Sequence, residues 1–117
     1  MKYRVHTAHR SEYPDPIRFE RHTPLVVGER YEGPEGWDDW YFCSVAGHDG
    51  GWVPAQLIEH MPDGSARAVE AYSARELDVD PGEALLARRE LNGWAWCERE
   101  TLPDAGWVPL ANLTPQA

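Results

Sequence analysis

Two cysteines, five histidines and several neighbouring carboxylates are the groups of this chain that could do covalent or metal chemistry. Cys43 and Cys97 each stand three positions after a tryptophan, Trp40 and Trp94. Alternation along a strand turns a residue three positions on to the opposite face, so each thiol is expected to point inward. A buried free cysteine acts as a small hydrophobe. Catalysis by a thiol needs an activating neighbour, and the sequence supplies no recognisable one. His6 and His9 are three apart in a segment that reads as a strand, where that spacing puts them on opposite faces. No Cys-x-x-Cys or His-x-x-x-His accompanies them, so no metal site is expected. The pairs Asp38-Asp39, Asp78/Asp80 and Glu98/Glu100 read as solvated loops and strand faces. A glycosidase pair would need a cleft that domains this small hardly provide. With no glycine-rich phosphate loop and no Ser/His/Asp arrangement, the reading is of a non-enzyme without cofactor or metal.

What positions these residues is a stretch that occurs twice. Trp40-Tyr41-Phe42-Cys43 precedes Gly51-Trp52-Val53-Pro54, and Trp94-Ala95-Trp96-Cys97 precedes Gly106-Trp107-Val108-Pro109. The offsets are 54 positions for the first tryptophan and 55 for the second. Each copy reads as an aromatic strand, a glycine loop, a second strand and a proline break. Upstream, Ile17-Arg18-Phe19 matches Leu77-Asp78-Val79, and Leu25-Val26-Val27 matches Leu85-Leu86-Ala87, both at offset 60. The offset falls because Gly28 to Asp39, an acidic loop, is six residues longer than its counterpart ending at Asn92-Gly93. Loops tolerate such length changes, which supports duplication. The boundaries expected are 1–61 for the first copy, 62–65 for a linker and 66–117 for the second copy.

Ten glycines and ten prolines in 117 residues favour turns and short strands over helices. Predicted strands include residues 3–9, 17–19, 24–27, 40–45, 52–53, 68–72, 77–79, 85–87 and 94–97. Pro54 to Leu57 is expected to form a single 3-10 turn. Two units of roughly 55 residues lie near the lower limit for a self-contained core.

The net charge is -9, with six Lys/Arg against ten Asp/Glu in residues 1–61 and five against ten in residues 62–117. An evenly acidic chain repels phosphate, so nucleic acid and anionic membrane are poor partners and a basic protein surface is a better one. The start, Met1-Lys2-Tyr3-Arg4-Val5, lacks the apolar run of a signal peptide, and no stretch of about 20 apolar residues follows. With only two cysteines, a reducing, cytoplasmic location is expected.

This order resembles the Src-homology-3 (SH3) family, in a bacterial, tandem form. The family's motifs appear at Ala68-Val69-Glu70-Ala71-Tyr72, Leu77-Asp78-Val79, Gly82-Glu83, Gly93-Trp94 and Gly106-Trp107-Val108-Pro109, and more loosely at Ile17-Arg18-Phe19, Trp40 and Gly51-Trp52-Val53-Pro54. The resemblance implies an all-β fold of two tandem SH3-like small five-stranded β-barrels. It also implies peptide grooves in which Trp40 and Trp94 take the central tryptophan role and Pro54 and Pro109 the proline role. Tyr72 matches a groove tyrosine and Glu76 the acidic position, while Leu57 and Asn112 stand where the last groove tyrosine belongs. Asp15, Asp38 and Asp39 crowd the acidic side of the first copy. The first groove tyrosine is replaced by Glu70 in one copy and Thr7 in the other, with His9 at the second position, so both grooves are degenerate.

The expected function is a protein–protein interaction module taking a basic or proline-containing peptide through Trp-lined, acid-flanked grooves. Polyproline segments are already extended and lose little entropy on docking. The alternative is a structural or oligomerisation protein, possible homo-oligomer included, whose aromatic faces pack between copies or chains. Exposure of Trp40, Trp94, Phe42 and Trp96 discriminates the two.

Overall fold

Glycine and proline turns cut the chain into short antiparallel strands. A computed structural model, which describes residues 1–33, 39–100 and 103–116, contains twelve strands among these residues. They are β1 (Lys2–Val5), β2 (Arg18–Phe19), β3 (Pro24–Arg30), β4 (Trp40–Val45), β5 (His48–Pro54) and β6 (Ile58–His60). The remainder are β7 (Ala66–Ala68), β8 (Tyr72–Ser73), β9 (Ala84–Leu91), β10 (Trp94–Arg99), β11 (Ala105–Pro109) and β12 (Leu113–Pro115). Ala55–Leu57 and Leu110–Asn112 form 3-10 turns after Pro54 and Pro109. The protein is all-β with an SH3-like strand arrangement.

The strands gather into two compact units. The continuous unit, residues 15–74, has a five-stranded sheet in the order β5-β4-β3-β7-β6 and a two-stranded pair, β2 with β8. Its buried side chains include Ile17, Leu25, Cys43, Val53, Leu57, Ile58, Ala66 and Ala68. The split unit, residues 1–14 and 75–117, has the order β11-β10-β9-β1-β12. Its core joins Tyr3, Val5, Leu77, Val79, Leu85, Ala87, Ala95, Cys97, Val108 and Leu113. Both sheets are open, with edge strands at each side, where closed barrels were expected.

The boundaries 1–61, 62–65 and 66–117 do not describe these units. The first strand pairs with the second copy: Tyr3 lies opposite Leu85 on β9 and opposite Pro115 on β12. The place a first strand would take on β3 is filled by β7, with Leu25 opposite Ala66 and Ile58 opposite Ala68. Residues 62–65 are therefore not an interdomain linker but part of a hairpin turn joining β6 to β7. The Met61 N–H donates to Ser65 O at 2.8 Å, and the Asp63 carboxylate accepts from the Ser65 N–H at 2.9 Å and hydroxyl at 2.6 Å. Gly64 takes the positive φ of 90° that the turn requires. Repetition identifies equivalent strands; it carries no information about which copy each one joins.

Other turns follow their residues. Asn92 and Gly93, with φ 49° and 87°, form the two-residue connection between β9 and β10. Cys43 and Cys97 are fully buried and free. Desolvation raises their thiols to about 11 and about 12. A hydrogen bond to Glu90, reinforced by burial, raises the Tyr3 hydroxyl to about 12 as well.

All three groups are protonated in the fold and have pKa values above their ordinary ones. Their contribution to stability is thus complete below about pH 9 and is lost as pH rises through 9 to 12. Chemical denaturation across this range is expected to show stability falling steadily above pH 9. Thiol reagent at pH 8 is expected to label neither cysteine in the native chain and both in denaturant. Rapid native labelling, or stability unchanged to pH 12, would contradict the burial.

Candidate functional site

In the continuous unit the β4–β5 register sets aromatic and proline side chains opposite one another: Trp40 faces Pro54 and Phe42 faces Trp52. The Phe42 and Trp52 rings meet edge-on with centroids 5.3 Å apart, and Tyr31 meets Trp52 edge-on at 5.1 Å. All three are half-buried. A side chain at Gly50 would stand 2.5 Å from the Phe42 ring, so glycine there keeps the ring seated. Tyr72 closes the row from β8: its hydroxyl donates to Trp52 O at 3.1 Å, and its ring lies 5.6 Å from Phe19. Leu57 is buried at the end of the 3-10 turn that follows Pro54.

Acidic groups stand beside this row. The Ala55 N–H donates to Asp39 O at 2.8 Å, tying Asp39 to the start of the same turn. Asp15 is nearly fully exposed, and its backbone carbonyl is 2.7 Å from His48 Nε2. Asp38 lies outside the described residues.

The split unit repeats the register with a different acid. Trp94 faces Pro109, and Trp96 faces Trp107 with ring centroids 5.4 Å apart. Glu76 bridges to Trp107, while its carboxylate lies 2.7 Å from His9 Nε2. The His9 ring stands edge-on to Trp94 at 5.5 Å. Asn112 donates to the carbonyls of Thr7 and Ala8 at 3.3 and 3.1 Å, so it acts as a brace for the chain leading to His9. Nearby, Arg99 pairs with Glu83 and Asp104, and Arg75 with Asp104 at 2.5 Å.

The structure thus regroups the predicted residues. Trp40, Pro54, Leu57, Asp15 and Asp39 share the continuous unit with Tyr72, although Tyr72 belongs to the second sequence copy. Trp94, Pro109, Glu76 and Asn112 share the split unit with His9 from the first. Of the four aromatics whose exposure separates the two readings, Trp40 and Trp94 are buried, with only 6% and 9% of their surface exposed, and Phe42 and Trp96 are half-buried. At Trp94 the ring of His9, carried by the segment after β1, stands against the indole. Sequence reasoning missed Trp52 and Trp107 as members of these rows. The signal was present, since each stands two residues before the assigned proline and so shares its face.

A family model for the variant SH3 domain matches residues 2–60. The chain belongs to the variant SH3 domain family. No curated protein matches the chain, and no solved structure matches it. SH3-type domains are generally non-catalytic modules that bind proteins or peptides, and this chain is read as an interaction module on that ground. The matched residues run in family order but serve two units here, with 2–14 in the split unit and 15–60 in the continuous one. Among the described residues, no three His, Cys, Asp or Glu side chains gather in a way that could hold a metal ion. No helix among them is long and apolar enough to cross a membrane.

Proposed function

We propose that this chain carries two SH3-type units and captures a basic, proline-containing segment of another protein, with the continuous unit as the main binder. The supporting observation is the half-buried aromatic group of Tyr31, Phe42 and Trp52, in the same unit as the exposed Asp15. Half-exposed aromatic edges can grip an extended proline segment, and an exposed carboxylate can meet a flanking Arg or Lys. The split unit is the weaker site, because its Glu76 is largely buried against His9, whereas Asp15, although 3.5 Å from His48, is 92% exposed. A partner other than nucleic acid or anionic membrane fits the acidic balance of the chain, and a reducing, cytoplasmic setting fits its two free cysteines.

The test is an NMR titration of the full chain with a proline-rich peptide flanked by arginine. Indole signals of Trp52 and Trp40 are expected to shift. Trp52→Ala is expected to weaken binding by about tenfold or more, as loss of an aromatic anchor does. Asp15→Asn is expected to weaken it by about two- to fivefold at low salt and less at high salt. A wild-type spectrum unmoved by millimolar peptide would overturn the proposal.

Burial of Trp40 and Trp94 favours a second reading, a structural or oligomerising role. Under it, Trp94→Ala lowers the melting temperature or shifts the oligomer distribution in sedimentation, and no peptide is captured.

A further inference from the structure

We infer that the two halves of this chain are interlocked: each completes a sheet begun by the other, and each traded strand is fitted by size to its host. The registers make β1 and β7 equivalent, with Tyr3 at the place of Ala66 and Val5 at the place of Ala68. The hosts vary in the opposite sense. Around the large Tyr3 and Val5, the split unit has the small Ala87 and Ala95. At the matching register positions the continuous unit has the partly buried Val27 and Tyr41, and its traded strand carries the small Ala66 and Ala68.

Polar chemistry agrees. The Tyr3 hydroxyl donates to Glu90 at 2.7 Å. The register equivalent of Glu90 is Arg30, opposite Tyr41 as Glu90 is opposite Ala95, so the continuous unit has no carboxylate at the place that accepts the Tyr3 hydroxyl proton. Interiors packed to crystal-like density penalise both an overfilled and an underfilled slot. Moving β1 to the continuous unit would do the first, and moving β7 to the split unit the second. The run 2–60 that matches the family is therefore not the run that folds together.

The consequence is topological. Residues 1–63 supply β1 to the split unit and β2–β6 to the continuous one. Residues 64–117 supply β7 and β8 to the continuous unit and β9–β12 to the split one. A break in the exposed Asp63–Gly64 turn then leaves two fragments that each hold a strand of the other.

The experiment places a protease site in the full chain at Asp63–Gly64, where Gly64 has open space around it, and cuts it under native conditions. Cut chain is expected to elute from gel filtration at the position of uncut chain, and to part into two fragments only in denaturant. Two folded fragments eluting separately without denaturant would overturn the inference. Cross-strand nuclear Overhauser contacts in the uncut wild type provide a second reading that needs no variant. Val5 methyls are expected to contact Leu113 and Leu85, whereas contacts to Ile58 and Leu25 would overturn it.

Discussion

Tyr3→Ala is expected to destabilise the split unit by about 4 kcal/mol, the cost of truncating a buried aromatic side chain. The ring is 6% exposed and lies in one cluster with Val5, Leu85, Ala95, Val108 and Leu113. Truncation leaves a cavity that flanking strands cannot close, and it removes the hydrogen bond from the hydroxyl to the exposed Glu90 carboxylate at 2.7 Å. Small domains have only about 5–15 kcal/mol in total, so most of the unit's margin goes. The location of the damage is as informative as its size. Amide hydrogen exchange should rise through β9 to β12, residues 84–115, and stay near wild type in β3 to β6, residues 24–60. Loss of protection in residues 24–60 instead would mean that β1 completes the continuous unit, contrary to the observed pairing.

Gly106→Ala is expected to cost about 3 kcal/mol, the upper part of the usual range for overpacking. A Cβ there would stand 2.9 Å from Leu77 N and 3.0 Å from both Arg75 O and the Glu76 carbonyl carbon. These are backbone atoms, and they belong to a segment that pairs with β11. The Leu77 N–H donates to Trp107 O at 3.1 Å, and the Trp107 N–H donates to Arg75 O at 2.8 Å. No side-chain rotation relieves the clash, so either this pairing or Leu77, 1% exposed, must give way. Thermal melting should show an early transition for the split unit, with the Trp107 environment lost first. A melting curve superimposable on wild type would show that the approach of residues 75–77 to Gly106 is not as close as described. At the corresponding glycine of the other unit, Gly51, an added Cβ would stand 2.6 Å from Cγ2 and 3.0 Å from Cβ of the fully buried Ile17.

Much of the local structure was legible. Trp40 to Val45 was read as a strand and is β4, and the turn after Pro54 is 3-10 as expected. These features depend on residues adjacent in sequence: glycine at positive φ, proline where no N–H is needed, alternation along a strand. The inward direction of Cys43 and Cys97 was also legible, because alternation alone decides it. The burial of Trp40 and Trp94 was not. For Trp94 it depends on a ring delivered from His9, 85 positions earlier in the chain, and no local pattern encodes a neighbour that distant.

The candidate site divides along the same line. Trp40 opposite Pro54, and Trp94 opposite Pro109, follow from hairpins whose two strands are close in sequence. Tyr72 beside Trp52 and His9 against Glu76 do not, since each joins residues from different copies.

By itself, then, the sequence determined that this is an all-β protein of the SH3 kind, with a Trp-x-x-Cys and Gly-Trp-Val-Pro stretch that occurs twice, each time on an aromatic hairpin. Tertiary structure alone decided the ownership of the first strands, and with it which residues share a unit. Equivalent strands from two copies have the same hydrogen-bonding backbone and can pair with either sheet. The choice between them lies in side-chain volume, large against small at Tyr3 with Ala87 and Ala95, small against large at Ala66 with Val27 and Tyr41, and volume acts only once the core is assembled.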